Sequence, residues 1–177
     1  NEREFPLGRV PKAEEKKHIA VVGGGPGGIV SAMILRQRGH DVTLYEKSDK
    51  LGGALRYAVI PEFKKDLADY LAYLEYQANN CGAKILLNTE ATREVLEKEN
   101  YDGIIVAIGA EPLVPNLPGL DKPHVHWAPE VDAGEKPCGQ KVVVIGAGMV
   151  GLEAAIDLKK EGKDVTVIEL QDSYQSL

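Results

Sequence analysis

A repeated pattern constrains the fold of this chain more than any other feature of the sequence. When GGGPGG, which begins at Gly23, is aligned with GAGMVG, which begins at Gly146, the following segments also match: DVT falls on DVT, and Glu46 falls on Glu169. In each copy an apolar strand precedes the glycines, an amphipathic helix follows them, and a second strand comes next. The pattern predicts an α/β protein with a Rossmann-like parallel sheet and the start of a second Rossmann unit.

The spaced glycines of each copy have separate structural roles. The first permits a tight turn out of the strand, the second lets the backbone approach a pyrophosphate, and the third lets the helix pack closely on the strand. These glycines are Gly23, Gly25 and Gly28 in the first copy and Gly146, Gly148 and Gly151 in the second. Pro26, Gly27, Met149 and Val150 lie between them and place the first helical turn beside the phosphates of a dinucleotide, at the positive end of the helix dipole.

An acidic residue completes each copy. Glu46 and Glu169 end the second strands, where a carboxylate accepts hydrogen bonds from both hydroxyls of an adenosine ribose. Because a carboxylate repels a 2′-phosphate, we expect NADH rather than NADPH at the second site. Lys47, next to Glu46, is included among the expected cofactor contacts. Only the first copy is followed in this sequence by a further glycine pair, Gly52-Gly53, which lets the backbone run beside a bulky cofactor.

Proline and glycine positions set the expected segment boundaries. Prolines are dense between Glu111 and Gln140, which predicts a connector without regular helix or strand. We also expect a loop at LGGALRYAVIPEF, a helix from Glu62 to Asn80 and a buried apolar strand in YDGIIVAIGA. The expected segments are a linker at 1–17, the N-terminal part of a first dinucleotide-binding domain at 18–112, the connector at 113–140 and an incomplete second dinucleotide-binding domain at 141–177.

Composition argues against several classes of function. The net charge of −6 and the pI near 5.3 disfavour nucleic acid as a partner. No apolar run is long enough to span a bilayer, and the charged N-terminal segment resembles neither a signal peptide nor a transit peptide. Cys81 and Cys138 are isolated, which indicates a reducing cytoplasm and disfavours a disulfide-reductase role. His124 and His126 have no third ligand in the connector, so we expect no metal site.

The residues around the first glycine motif resemble the two-dinucleotide-binding flavoproteins, in which one fold holds FAD and an inserted second fold holds NAD(P)H. Glu46 and the glycine pair that follows it match the family's ExxxxxGG pattern, which lines the FAD. AIGAEP resembles the family's ATGxxP turn over the flavin, with Ile108 in place of the usual threonine. The resemblance implies that 18–112 is the FAD domain and 141–177 the start of the NAD(P)H domain. It adds as FAD contacts Leu55, Arg56, Ala91 or Thr92 near the adenine, Ala107, Ile108 and Gly109.

Nearly the whole sequence has a narrower resemblance. FPLGRVPKAEEKKHIAVVGGGPGG, LGGALRYAVIPEF and AIGAEPLVPNLPGLD together look like the C-terminal part of 2,4-dienoyl-CoA reductase-like proteins of the old yellow enzyme superfamily. That resemblance implies a parent chain with an FMN-binding barrel and a 4Fe-4S segment outside this sequence. Hydride would pass from NADH to FAD, and electrons through the cluster and FMN to an activated C=C bond. We therefore expect a fragment of a larger reductase that binds FAD weakly or not at all alone.

Three classes of function remain open at this level. The first is the NAD(P)H- and FAD-binding electron-input module of such a reductase, with no catalytic acid, base or nucleophile in this chain. The second is an electron-transfer flavoprotein similar to the small subunit of glutamate synthase, which LGGALRYAVIPEF also matches. The third is a nucleotide-binding module without catalysis. An oligomeric parent is compatible with all three.

Overall fold

Residues 10–172 are described by a computed structural model, and they divide into two units. The first unit contains the described residues through Arg56, together with Asp66–Glu111. The second contains Tyr57–Lys65 and the described residues from Pro112 onward. We call Tyr57–Lys65 the strap, because it belongs to the second unit although the chain on both sides of it belongs to the first. Residues 1–9 of the expected linker and 173–177 of the expected second dinucleotide-binding domain lie outside the described residues.

The first unit is a parallel four-stranded sheet covered by helices. Its elements in chain order are β1 (His18–Val22), α1 (Pro26–Arg38), β2 (Asp41–Tyr45), α2 (Leu55–Ala58, whose last two residues belong to the strap), α3 (Lys65–Asn80, whose first residue belongs to the strap), β3 (Lys84–Leu86), α4 (Arg93–Lys98) and β4 (Gly103–Val106). The strand order is β3-β2-β1-β4, and every pairing is parallel. Val21, Ile29, Leu44 and Leu74 are fully buried in its core. Burial of these apolar side chains from β1, α1, β2 and α3 holds the layers together.

The second unit repeats the strand–helix–strand arrangement. A 3₁₀ turn at Glu62–Lys64 lies in the strap, and α5 (Ala128–Asp132), β5 (Lys141–Ile145), α6 (Met149–Lys160) and β6 (Asp164–Ile168) follow. β5 and β6 pair in parallel, from Lys141 opposite Asp164 to Ile145 opposite Ile168. Val144, Ala155 and Leu158 form the buried cluster of this unit. Both copies of the repeat therefore fold as predicted, and the predicted α/β class with a parallel sheet is confirmed.

Four local predictions need correction or refinement. The connector contains α5, because Pro129 occupies the first turn of the helix, where a proline lacks no needed N–H group. The expected loop LGGALRYAVIPEF contains the short helix α2. The strand in YDGIIVAIGA is half-exposed: β4 is an edge strand that packs Ile105 into the core, whereas Ile104 and Val106 are 48% and 69% exposed on its other face. The expected helix over 62–80 begins with a 3₁₀ turn and continues as α3.

Within residues 10–172, no helix combines the length and apolar character that crossing a bilayer requires. The same stretch of chain contains no group of three or more histidine, cysteine or acidic side chains arranged to hold a metal ion. Both cysteines it contains, Cys81 and Cys138, are thiols rather than partners in a disulfide bond.

One carboxyl group of the second unit has an unusual ionisation. Asp132 ends α5, which packs against α6, and its side chain is half-buried. Burial raises the pKa of Asp132 from its ordinary 3.8 to about 6, and the negative charges of Asp157, Glu161 and Glu153 add to the effect. The folded unit therefore favours protonated Asp132, and ionising this group costs stability as the pH rises from about 4 through about 6.

We expect Asp132→Asn to stabilise the second unit at neutral pH and to have little effect at pH 4. A shift of about two pKa units corresponds to about 3 kcal/mol, which solvent screening at a half-exposed side chain reduces to about 1–2 kcal/mol. The measurement is thermal unfolding of the 177-residue chain at several pH values, followed by the fluorescence of its single tryptophan, Trp127. Asp121→Asn, at an exposed position of the same unit, is the control. An equal gain at every pH would contradict the electrostatic explanation.

Candidate dinucleotide-binding sites

The first glycine turn leaves a helix N-terminus open to a ligand. Gly23 turns the chain out of β1 with φ of +106°, a conformation that L side chains rarely adopt. Gly25 caps α1 without a side-chain hydrogen bond, and Pro26 occupies the first helical position. The first helical hydrogen bond runs from Ile29 N–H to Gly25 O at 2.9 Å. The first-turn N–H groups therefore have no acceptor within the helix and are placed for a phosphate.

Close backbone packing explains why two of these positions are glycine. A Cβ atom on Gly28 would overlap the carbonyl oxygen of Gly23, so α1 approaches the turn more closely than any side chain allows. A Cβ atom on Gly23 would in turn overlap the carbonyl oxygen of Ala107. The position of Gly27 is different, because a Cβ atom there would meet nothing within 4 Å. The packing role predicted for the third glycine is therefore visible at Gly28.

The second glycine pair lies directly against the first glycine turn. Gly52 N–H donates to Gly24 O at 2.8 Å. A Cβ atom on Gly53 would lie 3.0 Å from the Cα atom of Gly25, and one on Gly24 would lie 2.7 Å from Leu51 Cδ2. The two glycine segments thus form one continuous backbone surface beside the N-terminus of α1, and the space around Gly25 remains open apart from Gly53. A surface without side chains fits the backbone approach that a pyrophosphate requires.

Glu46 accepts hydrogen bonds from the first glycine turn and from Ser48, two residues further along the chain. It is buried, and its Oε2 accepts a hydrogen bond from Gly24 N–H at 2.7 Å. Its Oε1 accepts from Ser48 N–H and from Ser48 Oγ, each at 2.8 Å. Burial raises the pKa of Glu46, but the hydrogen bonds from Ser48 and Gly24 and the charge of Arg56 outweigh it and lower the pKa overall. Glu46 is therefore ionised at neutral pH and ready to accept from a ribose.

Glu169 repeats this arrangement in the second unit. Its Oε2 accepts from Ala147 N–H at 2.7 Å, and its Oε1 accepts from Gln171 N–H at 2.9 Å. The Ala147 hydrogen bond, followed by that of Gln171, lowers the pKa of Glu169. A carboxylate has about four acceptor positions, so about two remain at the exposed Glu169. At Glu46, the three donors leave about one acceptor position for a ribose hydroxyl. A second ribose hydroxyl could bind Glu46 only if Ser48 Oγ donated to its other acceptor, Lys50 O, which lies 2.8 Å away.

The second glycine turn is more open than the first. Gly148 caps α6 without a side-chain hydrogen bond, and Met149 and Val150 in the first turn are about half exposed. A Cβ atom on Gly151 would overlap the carbonyl oxygen of Gly146, as at Gly28. A Cβ atom on Gly146 or Gly148 would meet nothing within 4 Å among the described residues. The turn has the same fit for a pyrophosphate, but no second glycine segment from the described part of the chain lies against it.

The remaining predicted residues of the first site lie at the carboxyl edge of the sheet or near it. Ala107 N–H donates to Val22 O at 2.8 Å beside the first turn, Ile108 is 73% exposed, and Gly109 has φ of +75°. Thr89 N–H donates to Glu46 O at 2.9 Å, which brings the loop that leads to Ala91 and Thr92 towards the carboxylate. Because the strands are parallel, their carboxyl ends meet at one edge, where ligands of open α/β sheets bind.

Four other predicted residues of the first site differ in their surroundings. Leu55 is partly buried and packs its side chain against the core. Arg56 donates from Nε to Gly53 O at 3.4 Å. Thr92 is a helix cap, with Oγ1 accepting from Val95 N–H at 3.4 Å. Lys47 is exposed. The sequence reasoning missed Ser48, since no pattern marks a serine two residues after the glutamate as its partner.

Comparison with known proteins identifies relatives over nearly the whole chain. Residues 17–176 match the family model described as pyridine nucleotide-disulphide oxidoreductase. The cinnamate reductase of Clostridium sporogenes is 37% identical over 171 residues, covering 97% of this chain and 25% of that protein. The glutamate synthase [NADPH] small chain of Bacillus subtilis is 33% identical, covering 89% of this chain and 36% of that protein.

A solved 2-naphthoyl-CoA reductase complex superimposes with a TM-score of 0.85 at 35% identity, covering 96% of this chain and 26% of that one. The chain thus spans about a quarter of the length of the two reductases it matches. The family match extends over nearly all of the sequence, including both glycine turns and both acidic residues. The chain belongs to the pyridine nucleotide-disulphide oxidoreductase family.

Proposed function

We propose that this chain is the electron-input part of a flavin-dependent reductase, with FAD at the first glycine turn and NADH at the second. One observation carries the proposal. Each unit has a helix N-terminus without a side-chain cap and, beside it, a glutamate whose pKa is lowered. The second glycine pair, which lies against the first turn only, supports the larger FAD there. On this proposal, 18–112 belongs to the FAD domain, 113–140 is the connector and 141–177 begins the NADH domain.

The residues of each site have distinct parts in binding. In the first, the first-turn N–H groups of α1 hold the pyrophosphate, Glu46 accepts from the ribose, and Arg56 and the segment Ala107–Gly109 line the flavin half. In the second site, the first turn of α6 holds the pyrophosphate, and Glu169 accepts hydrogen bonds from the ribose. Bound FAD supplies the hydride acceptor, and the chain positions the cofactors and excludes water. The exposed carboxylate of Glu169 disfavours the 2′-phosphate of NADPH.

The names of the relatives support the proposed acceptor. Cinnamate and 2-naphthoyl-CoA both contain unsaturation conjugated to a carbonyl group, so we propose that the whole protein reduces an activated C=C bond of this kind. The greater length of these relatives supports further domains in the parent, which we propose to be an FMN-binding barrel and a 4Fe-4S segment. The two isolated thiols support a cytoplasmic location.

Reduction of the bound flavin by NADH in the full-length protein is the decisive test. Under anaerobic conditions, NADH should bleach the visible absorbance of the flavin. NADPH at the same concentration should bleach it more slowly. Cinnamate or a related enoate should then restore the absorbance. A flavin that remains oxidised with either nucleotide would contradict the proposal and favour a nucleotide-binding module without catalysis.

A role similar to the glutamate synthase small chain is the second candidate, because the match to that chain covers 89% of this one. The same experiment separates the two candidates. Under the second, the reduced flavin would pass electrons to a separate partner subunit, and an enoate would not reoxidise it.

A further inference from the structure

The strap joins the two candidate sites along the chain. It follows Arg56, a proposed FAD contact, and it ends in the first residue of α3, from which the chain continues in the first unit. Nevertheless, the strap belongs to the second unit, which contains the proposed NADH site. The strap therefore connects, along the chain, a proposed FAD contact to the unit that contains the proposed NADH site.

The strap is held by a partly buried ion pair. Lys64 Nζ lies 2.6 Å from Glu153 Oε2, and the two side chains are only 22% and 18% exposed. In six other ion pairs within residues 10–172, at least one partner is more than half exposed. Because solvent screens a partly buried pair less, Lys64–Glu153 is expected to hold its geometry more firmly than these six.

The other end of the strap is also attached to the second unit. The ring of Tyr57 packs edge-on against Trp127, with centroids 5.1 Å apart, and its hydroxyl donates to Glu135 Oε2 at 3.3 Å. Trp127 and Glu135 flank α5, which packs on α6. Pro61, between the two ends, is buried. The strap is thus fixed at both ends to the α5–α6 pair.

Glu153 lies on the helix whose N-terminus forms the proposed NADH site. It is four residues after Met149, the first residue of α6, and therefore on the same face one turn into the helix. The N-terminus of α6 is the second glycine turn. Consequently, the Glu153 carboxylate, which pairs with Lys64 of the strap, lies on the helix that forms the proposed NADH site. The strap itself begins directly after Arg56, a proposed FAD contact.

We propose that Lys64 and Glu153 are positioning residues for hydride transfer: their ion pair attaches the strap, which adjoins the FAD site in sequence, to the helix that forms the NADH site. In the transfer, NADH loses a hydride to become NAD⁺, and FAD gains that hydride and a proton to become FADH₂. The inference rests on the proposed function. Hydride transfer depends steeply on the geometry of its two cofactors, and a misplacement of about 1 Å can cost about 100-fold in rate.

The test uses Glu153→Gln and Lys64→Met in the full-length, flavin-loaded protein. Each variant breaks the ion pair and nearly preserves side-chain volume. We expect the rate of flavin reduction at saturating NADH to fall at least about tenfold, while the dissociation constant of NADH changes less than about threefold, because the phosphate and ribose contacts remain. Rapid-mixing absorbance gives both quantities from the dependence of the rate on NADH concentration.

The charge swap distinguishes positioning from general destabilisation. Lys64→Glu combined with Glu153→Lys restores an ion pair and should recover most of the rate lost in the single variants. Glu161→Gln is the matched control, because Glu161 follows the same helix and pairs with Lys163 at 3.8 Å with an exposed carboxylate; it should leave the rate unchanged. If a neutral variant loses its flavin, Glu153→Asp, which retains the charge but shortens its reach, provides the measurement instead.

The outcomes separate this inference from the function on which it rests. If NADH does not reduce the flavin of the unsubstituted protein, the proposed function fails. If NADH reduces it and the single variants transfer hydride within about twofold of that rate, even with lowered thermal stability, the pair is structural only and the positioning role is wrong. A rate loss without recovery in the charge swap would also contradict it.

Discussion

Gly28→Ala should greatly weaken FAD binding and destabilise the first unit by about 2–3 kcal/mol. The added Cβ atom would overlap the carbonyl oxygen of Gly23, so that α1 must move away from the turn. That movement displaces the first-turn N–H groups that we propose hold the pyrophosphate. Alanine stabilises a helix by up to about 1 kcal/mol relative to glycine. The steric cost of the overlap must exceed this gain for the substitution to destabilise the unit.

The matched control is the same substitution one residue earlier. Gly27→Ala adds a Cβ atom that meets nothing within 4 Å, so it should maintain or slightly raise the unfolding free energy. Urea unfolding of the 177-residue chain gives the two free energies, and visible absorbance per mole of the purified full-length protein gives flavin content. Equal stability of the two variants, with full flavin content in Gly28→Ala, would show that the close approach of α1 to the turn is not required.

Glu169→Gln should reduce the affinity for NADH about tenfold and reduce the preference for NADH over NADPH by more than that. The substitution replaces the carboxylate that accepts hydrogen bonds from the ribose and repels a 2′-phosphate. An uncharged side chain of similar size remains between Ala147 and Gln171. Calorimetric titration of the full-length protein with each nucleotide measures both affinities. The flavin is reduced chemically under anaerobic conditions before the titration, so that hydride transfer from NADH contributes no heat.

The repeat supplies its own control for this prediction. Glu46→Gln is the equivalent change in the first site, so it should lower flavin content and leave the NADH and NADPH affinities unchanged. If Glu46→Gln changes nucleotide preference and Glu169→Gln does not, the assignment of the two sites must be reversed. If neither changes it, the glutamates are bound to their loops for structural reasons alone.

The local features of both sites could be predicted because they depend on short stretches of sequence. The glycine spacing indicates the turn, the helix start and the close approach at Gly28, since each follows from the missing Cβ atom. The alignment of Glu46 with Glu169 likewise places a carboxylate at the end of each second strand, and the structure has both there. Sequence spacing and local geometry are sufficient for these elements.

The features that escaped prediction depend on contacts distant in sequence. Nothing near Lys64 indicates that its partner is Glu153, 89 residues later, so the strap could not be assigned to the second unit. The 48% exposure of Ile104 depends on what packs against its face of β4, which a run of apolar residues does not reveal. Similarly, the dense prolines predict no helix around Pro129, because its place in the first turn of a helix is visible only in the fold.

The strap also has a consequence for the order in which this protein is made. Lys64 is synthesised 89 residues before Glu153, a delay of roughly 5–20 s at ordinary rates of translation. During that time the chain from Asp66 to Glu111 can join the first unit, while the strap still lacks the helix to which it binds. The second unit must therefore assemble around a segment delivered long before the rest of it, and residues from Pro112 onward expressed alone would lack that segment.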